Sequence, residues 1–188
     1  MQTAIESVTD EELIQRASKG DRQAFGLLYE KYLEAIYQYM FYRVGSEQEA
    51  EDLTEKVFLK IWERIPRLSR EAPVRNFRAW LYRISHNLVV DYYRTRKETA
   101  PLSSYESQIP ADRGIEDNVD NQHEREMLVK AITQLEPQYQ EIIVARFINQ
   151  LSHAETAEIV RKSEGHVRVL QYRALKKLRS IMADQSNG

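Results

Sequence analysis

Residues 161–179 carry seven Lys or Arg against a single Asp or Glu. At helical pitch Val167, Leu170, Ala174, Leu175 and Leu178 fall on one side. His166, Arg168, Gln171, Tyr172, Arg173, Lys176, Lys177 and Arg179 are left for solvent or a ligand. Guanidinium and amide groups near the start of such a helix have the donors that base edges accept, and the later cations suit phosphates. The competing reading is a basic helix that is merely solvated.

A second constellation spans Arg67 to Arg96. Arg70, Arg75, Arg78, Arg83, Arg94 and Arg96 are interleaved there with Trp80, Tyr82, Tyr92 and Tyr93. Cations for a backbone and π surfaces for unstacked bases are what a single nucleic-acid strand requires. Trp80 shares the apolar stripe of its helix and is expected in the core. A third group is acidic: Glu47, Glu49, Glu51, Asp52, Glu55 and Glu63 flank Phe58 and Trp62. No His, Lys or second carboxylate motif accompanies them, so acid/base catalysis is not expected and a protein-binding or solvated face is. The four histidines are scattered without ligand spacing and there is no cysteine, so neither a metal, a cofactor nor a disulfide is expected.

The net charge of −2 conceals an alternation. Residues 1–66 hold 8 basic against 13 acidic side chains, 67–98 hold 8 against 3, 99–126 hold 2 against 7, and 127–188 hold 9 against 6. The cationic blocks can neutralise phosphates locally while the acidic ones face another partner, solvent, or the basic blocks themselves. No stretch approaches the roughly 20 apolar residues that span a bilayer, and the polar start lacks the blocks of a signal peptide, so the expected location is the cytoplasm.

Positioning these groups falls to helices, because nothing alternates with period two. Thr9 with Glu12 forms a capping box for a short helix ending near Gly20, and Asp21 caps a long one that stops at Gly45. Ser46 with Glu49 opens a helix carrying Leu53, Val57, Phe58, Ile61, Trp62 and Ile65, expected to end at Pro66. A loop from Arg67 to Asn76 leads to a helix with Phe77, Trp80, Leu81, Ile84 and Leu88 on one arc and Arg78, Tyr82, His86, Tyr93 and Arg96 opposite. The polar run from Thr99 to about His123 reads as a linker. Beyond it come a stripe from Met127 to Leu135, a restart at Pro137, and a Ser152–Glu155 capping box. The helix it opens ends near Val160, and after a break at 161–163 the final helix reaches about Met182, which makes a helix-turn-helix. The expected fold is all-α, in two small helical domains: 8–98, a linker 99–123, and 124–184.

Several motifs carry a resemblance. Ala50-Glu51-Asp52-Leu53 with Phe58 and Trp62, the run Phe77 to Ile84 through Asn87-Leu88 and Asp91 to Arg94, and Leu135-Glu136-Pro137 with the closing Arg173 to Arg179 are together similar to RNA polymerase sigma factors. The type they resemble is the extracytoplasmic-function (ECF) group of the sigma-70 family. The resemblance implies a region 2 bundle that docks on the β′ coiled coil of core polymerase through Glu49, Asp52, Leu53, Phe58 and Trp62. It implies minus-ten recognition and melting by Ser69, Arg70, Arg75, Asn76, Arg78, Tyr82 and Arg83. The loop 69–76 would hold a flipped-out base, with Asn76 suited to bonding its edge. It implies a region 4 helix-turn-helix that contacts the β flap and reads the minus-thirty-five duplex through His166, Arg168, Gln171, Tyr172, Arg173, Lys176 and Lys177. An anti-sigma partner, able to hold the chain at the membrane, is also implied; catalysis, membrane insertion and a small-molecule substrate are not.

The sequence departs from the family pattern at Glu55 and Lys56, where Gln then Glu are usual, at His166, where Thr is common, and at Arg161, where a turn glycine is common. The last removes a residue that takes positive φ without steric cost, so a turn of different shape is expected. Two rivals remain from the residues alone: a stand-alone helix-turn-helix regulator with an N-terminal sensing or dimerisation domain, and a helical adaptor that uses its acidic face.

Overall fold

The computed structural model describes residues 8–71, 76–99 and 119–186, all helix, turn or short connection. Four helices form the first half: α1 Asp10–Ser18, α2 Arg22–Val44, α3 Glu47–Glu71 and α4 Phe77–Thr99. The second half holds α5 Val119–Thr133, α6 Pro137–Ile143, a π-helical turn Val144–Ile148, α7 His153–Val160 and α8 Glu164–Ser186. Among the described residues no helix is long and apolar enough to cross a membrane.

The local signals act as read. Thr9 and Glu12 bond reciprocally across the start of α1. Asp21 accepts from the Gln23 and Ala24 N–H groups, and Gly45 closes α2 in the left-handed region at φ 70°. Pro137 sits in the first turn of α6, where its missing N–H costs no helical bond. One expectation is corrected: α3 does not end at Pro66 but continues to Glu71. A single proline removes one bond, to the carbonyl of Trp62, and a helix already anchored by buried Val57, Ile61 and Ile65 absorbs that loss.

Leu13 and Ile14 of α1, Leu28, Ile36 and Met40 of α2, Leu53, Val57 and Ile61 of α3, and Leu81, Ile84 and Leu88 of α4 fill the first half, and the same apolar cluster continues through Ile132, Leu135, Val144, Leu151, Ala174 and Leu178 of the second. Ile142, Ala157, Val167 and Leu170 form a separate cluster that fixes α8 against α6 and α7. The halves also pack on each other: α7 lies along α4, while α5 and the π turn lie on α2.

The π turn serves this junction. Its wider spacing sends the Asn149 N–H to the Val144 carbonyl at 3.0 Å and the Leu151 N–H to Ala145 at 2.9 Å. The Asn149 side chain then reaches α2, donating to the Ala35 carbonyl at 2.7 Å.

Candidate nucleic-acid interface

α8 follows α7 after a three-residue turn. Ser152 and Glu155 cap the start of α7 reciprocally, and the Ser163 hydroxyl accepts from the His166 N–H at 3.2 Å to start α8. Between them Arg161 ends α7 at φ 53°, ψ 48°. The turn therefore keeps the left-handed conformation that glycine would take freely, and the arginine bears a steric cost of about 1–2 kcal/mol there.

Val167, Leu170, Ala174 and Leu178 are buried beneath α8. His166, Arg168, Tyr172, Arg173, Lys176 and Lys177 are exposed, Tyr172 at 72%. Each step of 100° along the helix places these six within one half of its circumference. Gln171 departs from the expected set: it is half-buried, and its side-chain oxygen accepts from Arg146 Nε at 3.2 Å. It braces α8 from beneath. The outer face is a cationic ridge with one protruding aromatic ring, on a helix whose first turn is the free end of a helix-turn-helix; such a ridge fits a major groove.

The second surface is differently placed. Asn76 caps α4, its side-chain oxygen accepting from the Ala79 N–H at 3.0 Å, so of its side chain the amide donors are what remain for a base edge. Arg78, Tyr82 and His86 recur along α4 on the face turned towards the second half. Arg78 donates to the Asn149 carbonyl at 2.7 Å and lies 3.6 Å from Glu155 of α7. Arg83 lies 4.0 Å from Glu158 of the same helix. Tyr82, expected on an open face, is 1% exposed and packs edge-on against Tyr39 of α2; burial pushes its hydroxyl pKa up. Sequence periodicity sets it opposite the arc of Phe77, Leu81 and Leu88, but its ring belongs to the core, where Tyr39 of α2 meets it. Ser69, Arg70 and Arg75 lie outside the residues whose side chains are described.

Beneath these contacts is a buried polar cluster that sequence reading missed. Glu141 of α6, 2% exposed, accepts from Arg43 Nη1, from the Tyr39 hydroxyl at 2.8 and 2.9 Å, and from His86 Nδ1 at 2.7 Å. Gln140 beside it accepts from Arg43 Nε at 3.2 Å and donates to the Arg43 carbonyl at 3.0 Å. Burial, with the cations Arg43 and Arg161 nearby, pulls the pKa of His86 down to about 4. The ring is then neutral at pH 7, and a neutral ring facing a carboxylate carries its proton on Nδ1. A signal was present: Arg43 continues the stripe of Ile36, Tyr39 and Met40, and a charge on an apolar stripe marks a buried partner.

The acidic helix α3 presents a third surface. Asp52 is exposed, Glu49 half-buried and Trp62 38% exposed, beside Leu59 at 53%. Leu53 and Phe58, expected to touch a partner, are 4% and 6% exposed. They fill the core and shape the ridge instead; Phe58 rests on Tyr29 and Trp62 on Phe25, with ring centroids 4.6 and 4.8 Å apart.

Comparison with known proteins gives these surfaces a frame. Sigma-70 region 2 matches residues 28–99, and Sigma-70 region 4 matches residues 125–178. The chain is 37% identical over 177 residues to the ECF RNA polymerase sigma factor BldN of Streptomyces coelicolor, covering 93% of this chain and 66% of that one. It is 31% identical over 182 residues to the ECF RNA polymerase sigma factor SigW of Bacillus subtilis, covering 91% of this chain and 95% of that one. In fold it is similar to CnrH, solved in complex with the cytosolic domain of CnrY, with a TM-score of 0.71 at 24% identity over 93% of this chain and 97% of that one. A similar likeness holds to the sigma factor RpoE of Bartonella quintana, solved with the anti-sigma factor NepR. Its TM-score is 0.70 at 19% identity, over 86% of this chain and 98% of that one. With both sigma regions in order along one helical chain, and a relative matched over nearly its whole length, the protein belongs to the ECF sigma factors of the sigma-70 family.

Proposed function

We propose that this initiation factor contacts promoter DNA with two separate surfaces while its acidic helix holds core polymerase. The region 4 helix α8, in a unit spanning 124–184, lies in the minus-thirty-five major groove. His166, Arg168 and Tyr172 approach bases, and Arg173, Lys176 and Lys177 sit on phosphates. The region 2 unit, 8–98, takes the melted minus-ten strand on Asn76, Arg78, Tyr82 and Arg83, together with Ser69, Arg70 and Arg75 of the preceding segment. Residues 99–123 connect the two.

Docking on the β′ coiled coil uses Glu49, Asp52 and Trp62, supported from behind by Leu53 and Phe58; region 4 adds a contact to the β flap. The chain itself supplies no catalysis, because the polymerase does the chemistry. What it contributes is placement: cations at fixed positions choose where the duplex is entered and hold the strand once it opens.

The observation that carries this reading is the exposed cationic face of α8, held from beneath by Val167, Leu170, Ala174 and Leu178. A pull-down with core polymerase freed of other sigma factors, followed by run-off transcription, is the test. Stable association with promoter-dependent transcripts is expected; a chain that binds operator DNA tightly without polymerase, and yields no transcript, would instead fit a stand-alone regulator.

Residence in the cytoplasm and capture by an anti-sigma protein, at the membrane where that protein is anchored, complete the proposal. The RpoE complex with NepR supports the second point by likeness of fold. Co-purification from cells at endogenous level, with fractionation of membrane and soluble pools, would reveal such a holder.

A further inference from the structure

We infer that the cleft between α2, α4 and the segment after the π turn binds a nucleoside phosphate, an activity separate from promoter recognition. The cavity there measures about 350 Å³, and its walls include Lys31 and Gln38 of α2, Arg78 of α4, and Asn149 and Gln150 of the segment. That volume lies within the range of small-molecule sites.

One wall holds an acceptor with nothing to accept. Asn149 is 6% exposed; its amide nitrogen donates to the Ala35 carbonyl at 2.7 Å and lies beside the Tyr82 hydroxyl. Its Oδ1 has no hydrogen-bond partner among the described residues. Turning the amide over would not satisfy it, because the Ala35 carbonyl needs the nitrogen where it is. A buried oxygen left unpaired costs stability, and a ligand that brings a donor removes that cost. The backbone that carries the amide is tightly specified. The Asn149 carbonyl accepts from Arg78 at 2.7 Å, and Gln150 is held in the left-handed region at φ 51°, a conformation that the surrounding packing must enforce on a residue with a side chain.

The charge in the cleft has one sign. Lys31 and Arg78 are both basic, and their side chains are 47% and 37% exposed. Lys31 gives Asp10 one of the three donors of an ammonium, and Arg78 gives the Asn149 carbonyl one of the five of a guanidinium. The donors that remain on the two helices suit an oxyanion.

An oxyanion on Lys31 and Arg78 with a donor at Asn149 defines the ligand. A nucleotide whose base carries an exocyclic amine offers both ends, whereas a bare anion reaches only the cations. An amide oxygen accepting from such an amine is half of the pairing by which asparagine identifies adenine. The Gln38 and Gln150 amides are placed for the ribose or the rest of the base edge.

AMP, titrated into the full chain by calorimetry, is the probe. Saturable binding with a Kd below about 1 mM is expected. Purine riboside 5′-monophosphate lacks only the 6-amino group and should bind about tenfold more weakly, since Oδ1 then stays unpaired. Adenosine, without the phosphate, should lose at least about tenfold. Arg78 also carries the minus-ten assignment, so Lys31, exposed and outside both promoter surfaces, is the residue to vary. Lys31→Gln should weaken AMP about tenfold and leave helicity unchanged, while Lys176→Gln on the α8 ridge should leave AMP binding as it is.

No saturable binding, equal affinity for AMP and purine riboside 5′-monophosphate, or loss of binding in Lys176→Gln rather than Lys31→Gln would overturn the site and leave the promoter surfaces standing. A short single strand beginning with a 5′-phosphorylated adenosine separates two sources of the same chemistry. Displacement of AMP by the strand would assign the cleft to a strand end, and AMP binding undisturbed by it would assign the cleft to a free nucleotide.

Discussion

The two nucleic-acid surfaces of this sigma factor are built from the same materials and end in opposite states. On α8 the cations point outward from a helix whose inner face packs through Val167 and Leu170 on Ile142 and Ala157, and through Ala174 and Leu178 on the main core. On α4 the corresponding side chains, Arg78, Tyr82 and Arg83, are half or wholly enclosed by another part of the same chain. The difference teaches that an amphipathic pattern tells which residues avoid their own core, and is silent on whether something else covers them.

The comparison can be broken most severely on the open surface. Arg173→Glu with Lys176→Glu reverses two exposed charges of the α8 ridge. Run-off transcription from a promoter with both elements should fall by about two orders of magnitude with helicity unchanged. The salt dependence of duplex binding should flatten by about 0.9 in slope for each phosphate that is no longer neutralised. Retained activity with an unchanged slope would mean that the ridge is only solvated.

Next comes the backing of that ridge. Leu170→Ala empties a 4%-exposed site in the small second core and should cost about 2–5 kcal/mol in denaturant unfolding. If the halves are thermodynamically distinct, the loss will show as an early melting step confined to duplex binding, with association to core polymerase through α3 retained.

A smaller effect sharpens the covered surface. His86 faces Glu141 of α6, with Arg43 of α2 and Arg161 of the turn after α7 nearby, and takes a proton only near pH 4, whereas a free imidazole does so near 6.5. The unfolded chain therefore binds that proton first. The contribution of neutral His86 to stability is complete above about pH 6.5 and is lost as pH falls towards 4. Stability to denaturant, followed from pH 7 to pH 4.5, should decline in wild type and decline less in His86→Gln.

The mildest change is Arg161→Gly. Removing the side chain at φ 53° relieves about 1 kcal/mol of strain, partly offset by the freedom glycine gains when unfolded. A rise of a few degrees in the melting temperature of the second half is expected; a fall would show that the arginine makes a contact worth more than the strain.

Most of the architecture is legible in the sequence because it is locally encoded. Thr9 with Glu12, Asp21, Gly45, Pro137 and Ser152 with Glu155 each act within four residues of their own position. The candidate surfaces are legible to the extent that they are amphipathic, which is enough to find the α8 ridge. What escapes is contact between distant parts of the chain. Periodicity sets Tyr82 off the apolar arc of α4, yet Tyr39 of α2 meets its ring and it is buried. Gln171 lies next to the outer arc by angle, and only the Arg146 guanidinium turns it inward. Pro66 reads as a terminus because the strength of the packing around it is not written in its neighbours.

Glu155 carries two duties, receiving the Ser152 N–H at 2.7 Å as part of the cap and standing 3.6 Å from Arg78. A lineage that altered it to change the contact with Arg78 would also fray the helix that precedes α8. Glu158 has no such second obligation in the cap and lies at the rim. It is thus the position where drift can alter the seam between α7 and α4 while leaving the cap of α7 intact.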